Sequence, residues 1–225
     1  VPRQPIAQPL QQASPATGGN APLSEQRLLS LFSGPYARSD GLAPRLKALG
    51  WFSVEQVDND GEAGGGWADD LLNDANFASL LARCKRGDFH ALMVAFPCSP
   101  FTIARHFDAS KGGDGDRGPP VLFSREHPDG LPESAVDPRH HRELRDTKKL
   151  LERVAELVIA ARLSPSRASI IFENPADRSV RGSVAFSDEL SNHGAIFETS
   201  PFKRMRSEAD LNNSATFAYC RLGRQ

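Results

Sequence analysis

Ala91-Leu92-Met93-Val94-Ala95-Phe96-Pro97-Cys98-Ser99-Pro100-Phe101-Thr102 decides how this 225-residue chain is read. Residues 91–96 form an unbroken apolar run of strand length, the pattern of a parallel strand buried on both faces. Proline stops the run and Cys98 follows at once. Open α/β sheets bind their ligands just beyond the carboxyl ends of the strands, so the thiol stands where a reacting group belongs. A single cysteine after a strand carries little weight, because free Cys behaves mostly as a small buried hydrophobe. A second short run, Ser169-Ile170-Ile171-Phe172, ends on Glu173-Asn174-Pro175. Both runs read as buried strands and both stop on proline. Together they deliver a thiol and a carboxyl group to one edge of one sheet.

Working outward, strand and helix patterns alternate. Leu28-Leu29-Ser30-Leu31-Phe32 reads as a strand; Leu42, Leu46 and Leu49 follow at helical spacing, with Gly50 as the stop. Phe52 to Val57 is a second strand, and a helix around Phe77 to Cys84 leads into the Cys98 strand. A long helix from about Pro138 to Arg162 presents Leu144, Leu151, Val154 and Val158 on one face and leads into the Glu173 strand. This order predicts an α/β fold with a doubly wound, mainly parallel sheet of the Rossmann-like type. Residues 1–23, rich in Pro, Gln, Ala and Gly, are expected to form a disordered tail or linker, leaving 24–225 as the domain. Residues 105–137 are dense in Gly, Pro, Asp and Arg. A connection that long is functional or unstructured: either a mobile lid behind Cys98 or a plain surface insertion.

Net charge is −1, so no global basic field announces a polyanionic partner; any such binding must come from local patches. Cys84, Cys98 and Cys220 are too widely spaced for a disulfide framework or a Cys-x-x-Cys metal motif, so no metal is expected and a reducing compartment is the default. No apolar stretch approaches the roughly 20 residues of a membrane span, and no signal-peptide layout opens the chain. The expectation is a soluble intracellular protein, nuclear in a eukaryote and cytoplasmic otherwise, with no membrane partner and monomeric by default. It begins on Val1 and ends just after the strand-like Ala215-Thr216-Phe217-Ala218-Tyr219-Cys220, as an excerpt of a longer chain would.

The turn Phe32-Ser33-Gly34-Pro35-Tyr36 and the acidic end Asp58-Asn59-Asp60 sit where nucleotide-type folds hold a ligand: a glycine lets backbone approach, and an acidic residue on the next strand bonds ribose hydroxyls. The Gly-x-Gly-x-x-Gly of dinucleotide binders is absent, which disfavours NAD and leaves a single adenosine-containing ligand. Asp58 and Asp60 both occupy the ribose position, and Asp69-Asp70 follow in a turn suited to an amino-group or adenine contact. Each is otherwise a solvated loop carboxylate. Their order along the sheet favours the ligand.

At this point the chain, over about residues 27 to 223, resembles the S-adenosylmethionine-dependent DNA (cytosine-5)-methyltransferases, in a divergent, phage- or mobile-element-like form. Leu31-Phe32-Ser33-Gly34 is similar to the family's cofactor turn, Val57-Asp58-Asn59-Asp60 to its acidic strand end and Ala68-Asp69-Asp70 to its third cofactor segment. Pro97-Cys98-Ser99-Pro100-Phe101-Thr102 resembles the Pro-Cys nucleophile motif, and Phe172-Glu173-Asn174-Pro175 the Glu-Asn-Val motif. The closing Tyr219-Cys220-Arg221-Leu222-Gly223 is similar to a segment of divergent members.

The resemblance implies that Cys98 adds to carbon 6 of cytosine while Glu173 donates a hydrogen bond or proton to ring nitrogen 3. Carbon 5 then takes the methyl group, leaving S-adenosylhomocysteine. It further implies that Asn174 orients Glu173 or the loop backbone. Phe32, Ser33, Gly34, Asp58, Asp60, Asp69, Asp70 and Pro97 would hold the cofactor, and DNA, or RNA as a near variant, would supply an extruded base. Arg105 would pair with a phosphate or a carboxylate.

Departures accompany the likeness. Pro35-Tyr36 replaces the family's second glycine, with Gly41 available for a shifted turn. No Gln-x-Arg-x-Arg motif is recognisable; Lys203-Arg204-Met205-Arg206 is basic and lies correctly downstream, but reads as a solvated charge cluster ahead of that motif. No residues remain for a target-recognition domain or a returning final helix. Cofactor binding is therefore implied ahead of turnover. A catalytically silent interaction module of the same fold is the competing expectation, argued against by the joint presence of Cys98 and Glu173. An adenine amino-methyltransferase would want an Asp-Pro-Pro-Tyr-like turn, which Pro97-Cys98-Ser99-Pro100 lacks.

Overall fold

The computed structural model describes residues 25–106 and 119–216, apart from 38, 40, 63 and 184. Strands and helices alternate: β1 (Arg27–Leu31), α1 (Leu42–Ala48), β2 (Ser53–Val57), α2 (Asp74–Arg86), β3 (Ala91–Ala95), α3 (His141–Leu163), β4 (Ser169–Glu173) and α4 (Ser200–Glu208), with short 3₁₀ turns between them. All four strands are parallel, in the order β2-β1-β3-β4. This is an α/β fold with a Rossmann-like parallel sheet. The chain steps from β1 to β2 in one direction and returns past β1 to β3 and β4. Right-handed crossovers then send α1 to one face and α2 and α3 to the other. The direction reverses between β1 and β3, which makes their carboxyl ends the switch point.

Register explains the core. Leu29 aligns with Leu92 and Ile170, and Leu31 with Val94 and Phe172, so alternate residues face the helical layer. Leu29, Leu31, Leu92 and Val94 are wholly buried there, against Leu151, Val154, Leu157 and Val158 of α3. Two buried or half-buried arginines fasten this layer. Arg83 of α2 forks onto both oxygens of Glu55 on β2, at 2.6 Å each. Arg153 of α3 donates to Leu71 O, pairs with Asp74 and lies 4.7 Å over the Phe77 ring.

One strand differs from its sequence pattern. Ser169-Ile170-Ile171-Phe172 looks buried on both faces, yet Ile171 is 56% exposed. Among the described residues β4 is an outer strand covered on one face only, where Phe172 meets the rings of Phe197 and Phe202.

The expected lid region also divides. Leu122, Phe123 and Val136 belong to the core, and Ser124 bridges His193, so the stretch from 121 to 136 is packed against the body rather than detached from it. Residues 107–118, the expected tail 1–23 and most of the strand-like 215–220 lie outside the described residues. Within them, no helix is long and apolar enough to cross a membrane, and no cluster of His, Cys, Asp and Glu could hold a metal.

Candidate active site

Beyond β3 the chain turns beneath itself. Phe96 is buried, edge-on to Phe32 at 5.4 Å and to Phe101 at 6.1 Å. Pro100 and Phe101 are buried in a 3₁₀ turn whose first hydrogen bond runs from Phe101 N–H to Cys98 O at 2.9 Å. With its neighbours anchored inward, Cys98 is left exposed at the rim. Cys84 makes the contrast: it is buried in α2, and desolvation pushes its thiol up to about 12. A thiol that holds its proton that firmly is chemically inert. Of the two described cysteines, only Cys98 is accessible.

Arg105 holds this turn from below. Its side chain is 3% exposed, donating to Ser99 O at 2.6 Å, to Pro120 O at 2.7 Å and to Ser99 Oγ at 3.3 Å, and pairing with Glu143 near the start of α3. Of the two partners the sequence offered it, the structure supplies the carboxylate.

Glu173 arrives from the neighbouring strand. It is aligned in register with Ala95, so it ends β4 one strand spacing, about 5 Å, from the end of β3. Asn174 Nδ2 then donates to Phe96 O at 2.8 Å. This bond ties the Glu-Asn loop directly to the Pro-Cys turn. Asn174 Oδ1 is buried with no partner. A further tie comes from His193, whose buried ring was not singled out in the sequence. Its Nδ1 accepts the Arg178 N–H at 3.2 Å, which leaves the proton on Nε2 to be donated to Phe101 O at 2.9 Å. No motif surrounds His193, and no sequence signal would have found it.

The residues expected to hold a cofactor lie across the switch point. A cavity of about 60 Å³ is walled by Phe32, Asp58, Asp69, Asp70 and Pro97, five of the eight residues expected there. The other three are not in its wall. Ser33 Oγ bonds Gly34 O at 3.3 Å, and Gly34, at φ 65°, donates its N–H to Asp58 Oδ2 at 2.9 Å. Asp60 is exposed; its N–H donates to Asp58 Oδ1 at 3.0 Å, and its own Oδ1 accepts the Glu62 N–H. Asp58 therefore joins the first turn to the second, while Asp60 caps a loop. A larger cavity, about 570 Å³, lies between α2, α3 and α4 toward the carboxyl end of α3. It is away from the sheet edge and gathers none of these groups, so the smaller one marks the site. Sites enclosing a whole drug-sized ligand run to roughly 300–1,000 Å³. The cavity of about 60 Å³ has room for only a portion of such a ligand.

Tyr36 closes this corner. Its hydroxyl donates to Asp69 Oδ2 and accepts the Asp58 N–H, both at 2.9 Å. Burial, reinforced by the bond to Asp69, pushes the phenol up to about 12. A Cβ on Gly65 would stand 1.7 Å from Asp58 O, so only glycine lets the following loop pass.

A phenol that keeps its proton longer when folded contributes stability in full below its ordinary value near 10, lost as pH rises toward 12. Tyr36→Phe is accordingly expected to lower stability by about 1 kcal/mol at neutral pH. The difference between wild type and variant, read from urea midpoints, should shrink as pH climbs from 10 to 12. A constant difference would mean that the phenol is not held by this network.

Compared with protein-family models, curated proteins and solved structures, the chain matches none.

Proposed function

We propose that this domain transfers a methyl group from S-adenosylmethionine to carbon 5 of cytosine in DNA through a covalent adduct on Cys98. The observation that carries the proposal is the Asn174 Nδ2 to Phe96 O bond. With the Ala95–Glu173 register, it ties the turn that carries an accessible thiol to the loop that carries a carboxyl group, both beyond the carboxyl ends of adjacent strands, which supports the reading. Carbon 5 of cytosine is a poor nucleophile, so the reaction needs both groups.

The Cys98 thiolate forms a bond to carbon 6, and Glu173 in its acid form protonates or hydrogen-bonds nitrogen 3. The displaced π electrons give carbon 5 enamine character. When bound, S-adenosylmethionine supplies an electrophilic methyl on a sulfonium and leaves as S-adenosylhomocysteine. Loss of the carbon 5 proton to solvent, departure of Cys98 as a thiolate with the electrons of its bond to carbon 6, and return of the nitrogen 3 proton to Glu173 then restore the aromatic base. The donor set fits the adenosyl ligand: Phe32 and Pro97 offer an apolar wall, and Asp58, Asp69 and Asp70 offer acceptors for hydroxyl and amino groups. Asp58 already accepts two backbone N–H groups, yet a carboxylate has about four acceptor positions.

Calorimetry with S-adenosylmethionine and trapping on DNA containing 5-fluorocytosine test the proposal. Binding together with an adduct on DNA supports it; an adduct on RNA alone moves the substrate to RNA. The small enclosed volume favours one other reading, the same fold kept as an interaction module. That reading requires neither binding nor adduct. Asp58→Ala removes both the ribose acceptor and the Gly34 anchor, and a tenfold or greater loss of S-adenosylmethionine affinity is expected, about 1.4 kcal/mol or more. Unchanged affinity would take Asp58 out of the site.

A further inference from the structure

We infer that the loop after β4 is a phosphate-gripping surface: Arg125, Arg178 and Arg181, set around the exposed Val180, hold the backbone of a nucleic acid whose base reaches Cys98. This rests on the reaction proposed above and adds to it the surface that seats the strand.

The loop is fixed to the reacting edge. Arg178 N–H donates to His193 Nδ1, whose opposite nitrogen holds Phe101 O, three residues from Cys98. Arg178 O in turn accepts the Ser187 N–H at 3.1 Å. Arg125 reaches in from the 119–137 segment, its Nη1 donating to Ser179 O at 2.9 Å. Asp177, the nearest carboxylate on the loop, points back into it, accepting both the N–H and the hydroxyl of Ser179 at 2.7 Å and facing His193 at 3.7 Å. Glu126 and the Asp188-Glu189 pair are the acidic neighbours along the chain.

Arg178 and Arg181 are exposed, and among the described residues no carboxylate pairs with either guanidinium. The basic cluster on α4 is different. There Lys203 pairs with Glu198 at 2.9 Å and Arg204 with Glu152 at 3.0 Å, so two of its three cations already face a carboxylate, Arg206 being the third. On a chain of net charge −1, unpaired guanidinium groups on a braced loop beside a nucleophile are the local patch that a polyanion requires. Val180, 45% exposed between them, offers an apolar contact to sugar or base.

The test measures binding of a short fluorescent duplex and of its single strand across a salt series, for wild type, for the double variant Arg178→Gln/Arg181→Gln, for Arg125→Gln and for Lys203→Gln/Arg204→Gln. Each lost phosphate contact flattens the slope of log affinity against log salt by about 0.9 on duplex and about 0.7 on single strand. The loop double variant should therefore lose nearly two units of slope on duplex and bind at least tenfold more weakly at low salt. The α4 variant should match wild type. S-adenosylmethionine affinity and the unfolding midpoint, both expected to be unchanged, show that the loop variants are folded. Trapping on 5-fluorocytosine DNA is run on the same proteins. Wild-type binding that is lost in the loop variants, without any adduct in wild type, upholds the surface and defeats the methyl-transfer reading. An adduct in wild type with unaltered slopes in the loop variants overturns the surface alone. Wild type that binds neither duplex nor single strand overturns it outright.

Discussion

Cys98→Ser is expected to abolish the covalent adduct on DNA containing 5-fluorocytosine while leaving the fold and S-adenosylmethionine binding intact. Fluorine at carbon 5 cannot leave as the proton does, so a thiol that adds to carbon 6 stays attached once the methyl group has been transferred. Serine at this position keeps the shape of the turn, because the turn is built from Pro100, Phe101 and the Phe101 N–H bond to the Cys98 carbonyl rather than from the thiol. The Cys98 side chain is exposed, so stability should move by less than about 0.5 kcal/mol. Cys84→Ser is the matched control, with the opposite signature: a buried thiol exchanged for a hydroxyl loses stability, while the folded fraction still forms adduct. An adduct on Cys98→Ser as abundant as on wild type would end the covalent proposal. Loss of adduct in a folded Cys84→Ser protein would do the same.

What the sequence disclosed was set by how local its cause is. The run 91–96 contains strand β3, Ala91–Ala95, because six apolar residues closed by proline have few other places to go, and the long helix appears over His141–Leu163 because its apolar stripe repeats every three to four residues. Facing relations across the chain left no such mark. Ile171 looks as buried as Leu92, and only the place of β4 at the outside of the sheet exposes it. Asp58 and Asp60 are indistinguishable in sequence; backbone direction turns one into the cavity and the other into a loop. The ties that assemble the site join residues 33, 78 and 92 positions apart, in Tyr36–Asp69, Asn174–Phe96 and His193–Phe101. No periodicity encodes those pairs.

Arg105→Met tests whether the reacting turn is held in place from beneath, and a loss of roughly 2–4 kcal/mol is expected. The guanidinium satisfies Ser99 O, Pro120 O and Glu143 together at 3% exposure. Methionine fills the space but donates nothing, leaving two carbonyls without that donor, each worth about 1–3 kcal/mol when buried. Better apolar packing offsets part of this. Glu143 is 33% exposed and can turn to water, so the uncovered carboxylate adds little, and Glu143→Gln, which keeps an acceptor, should lose under about 1 kcal/mol. Arg105→Lys should fall between the two, since a single ammonium cannot reach Ser99 O and Pro120 O at the divergent angles that the planar fork spans. Urea midpoints at constant m-value give the stabilities, and the rate of adduct formation gives the effect on Cys98. If Arg105→Met lowers the rate at a urea concentration where the protein is still fully folded, the arginine positions the thiol as well as stabilising the turn. If stability and rate both match wild type, the turn is held without the arginine, by the rings of Phe96 and Phe101, by His193 and by the Asn174–Phe96 bond.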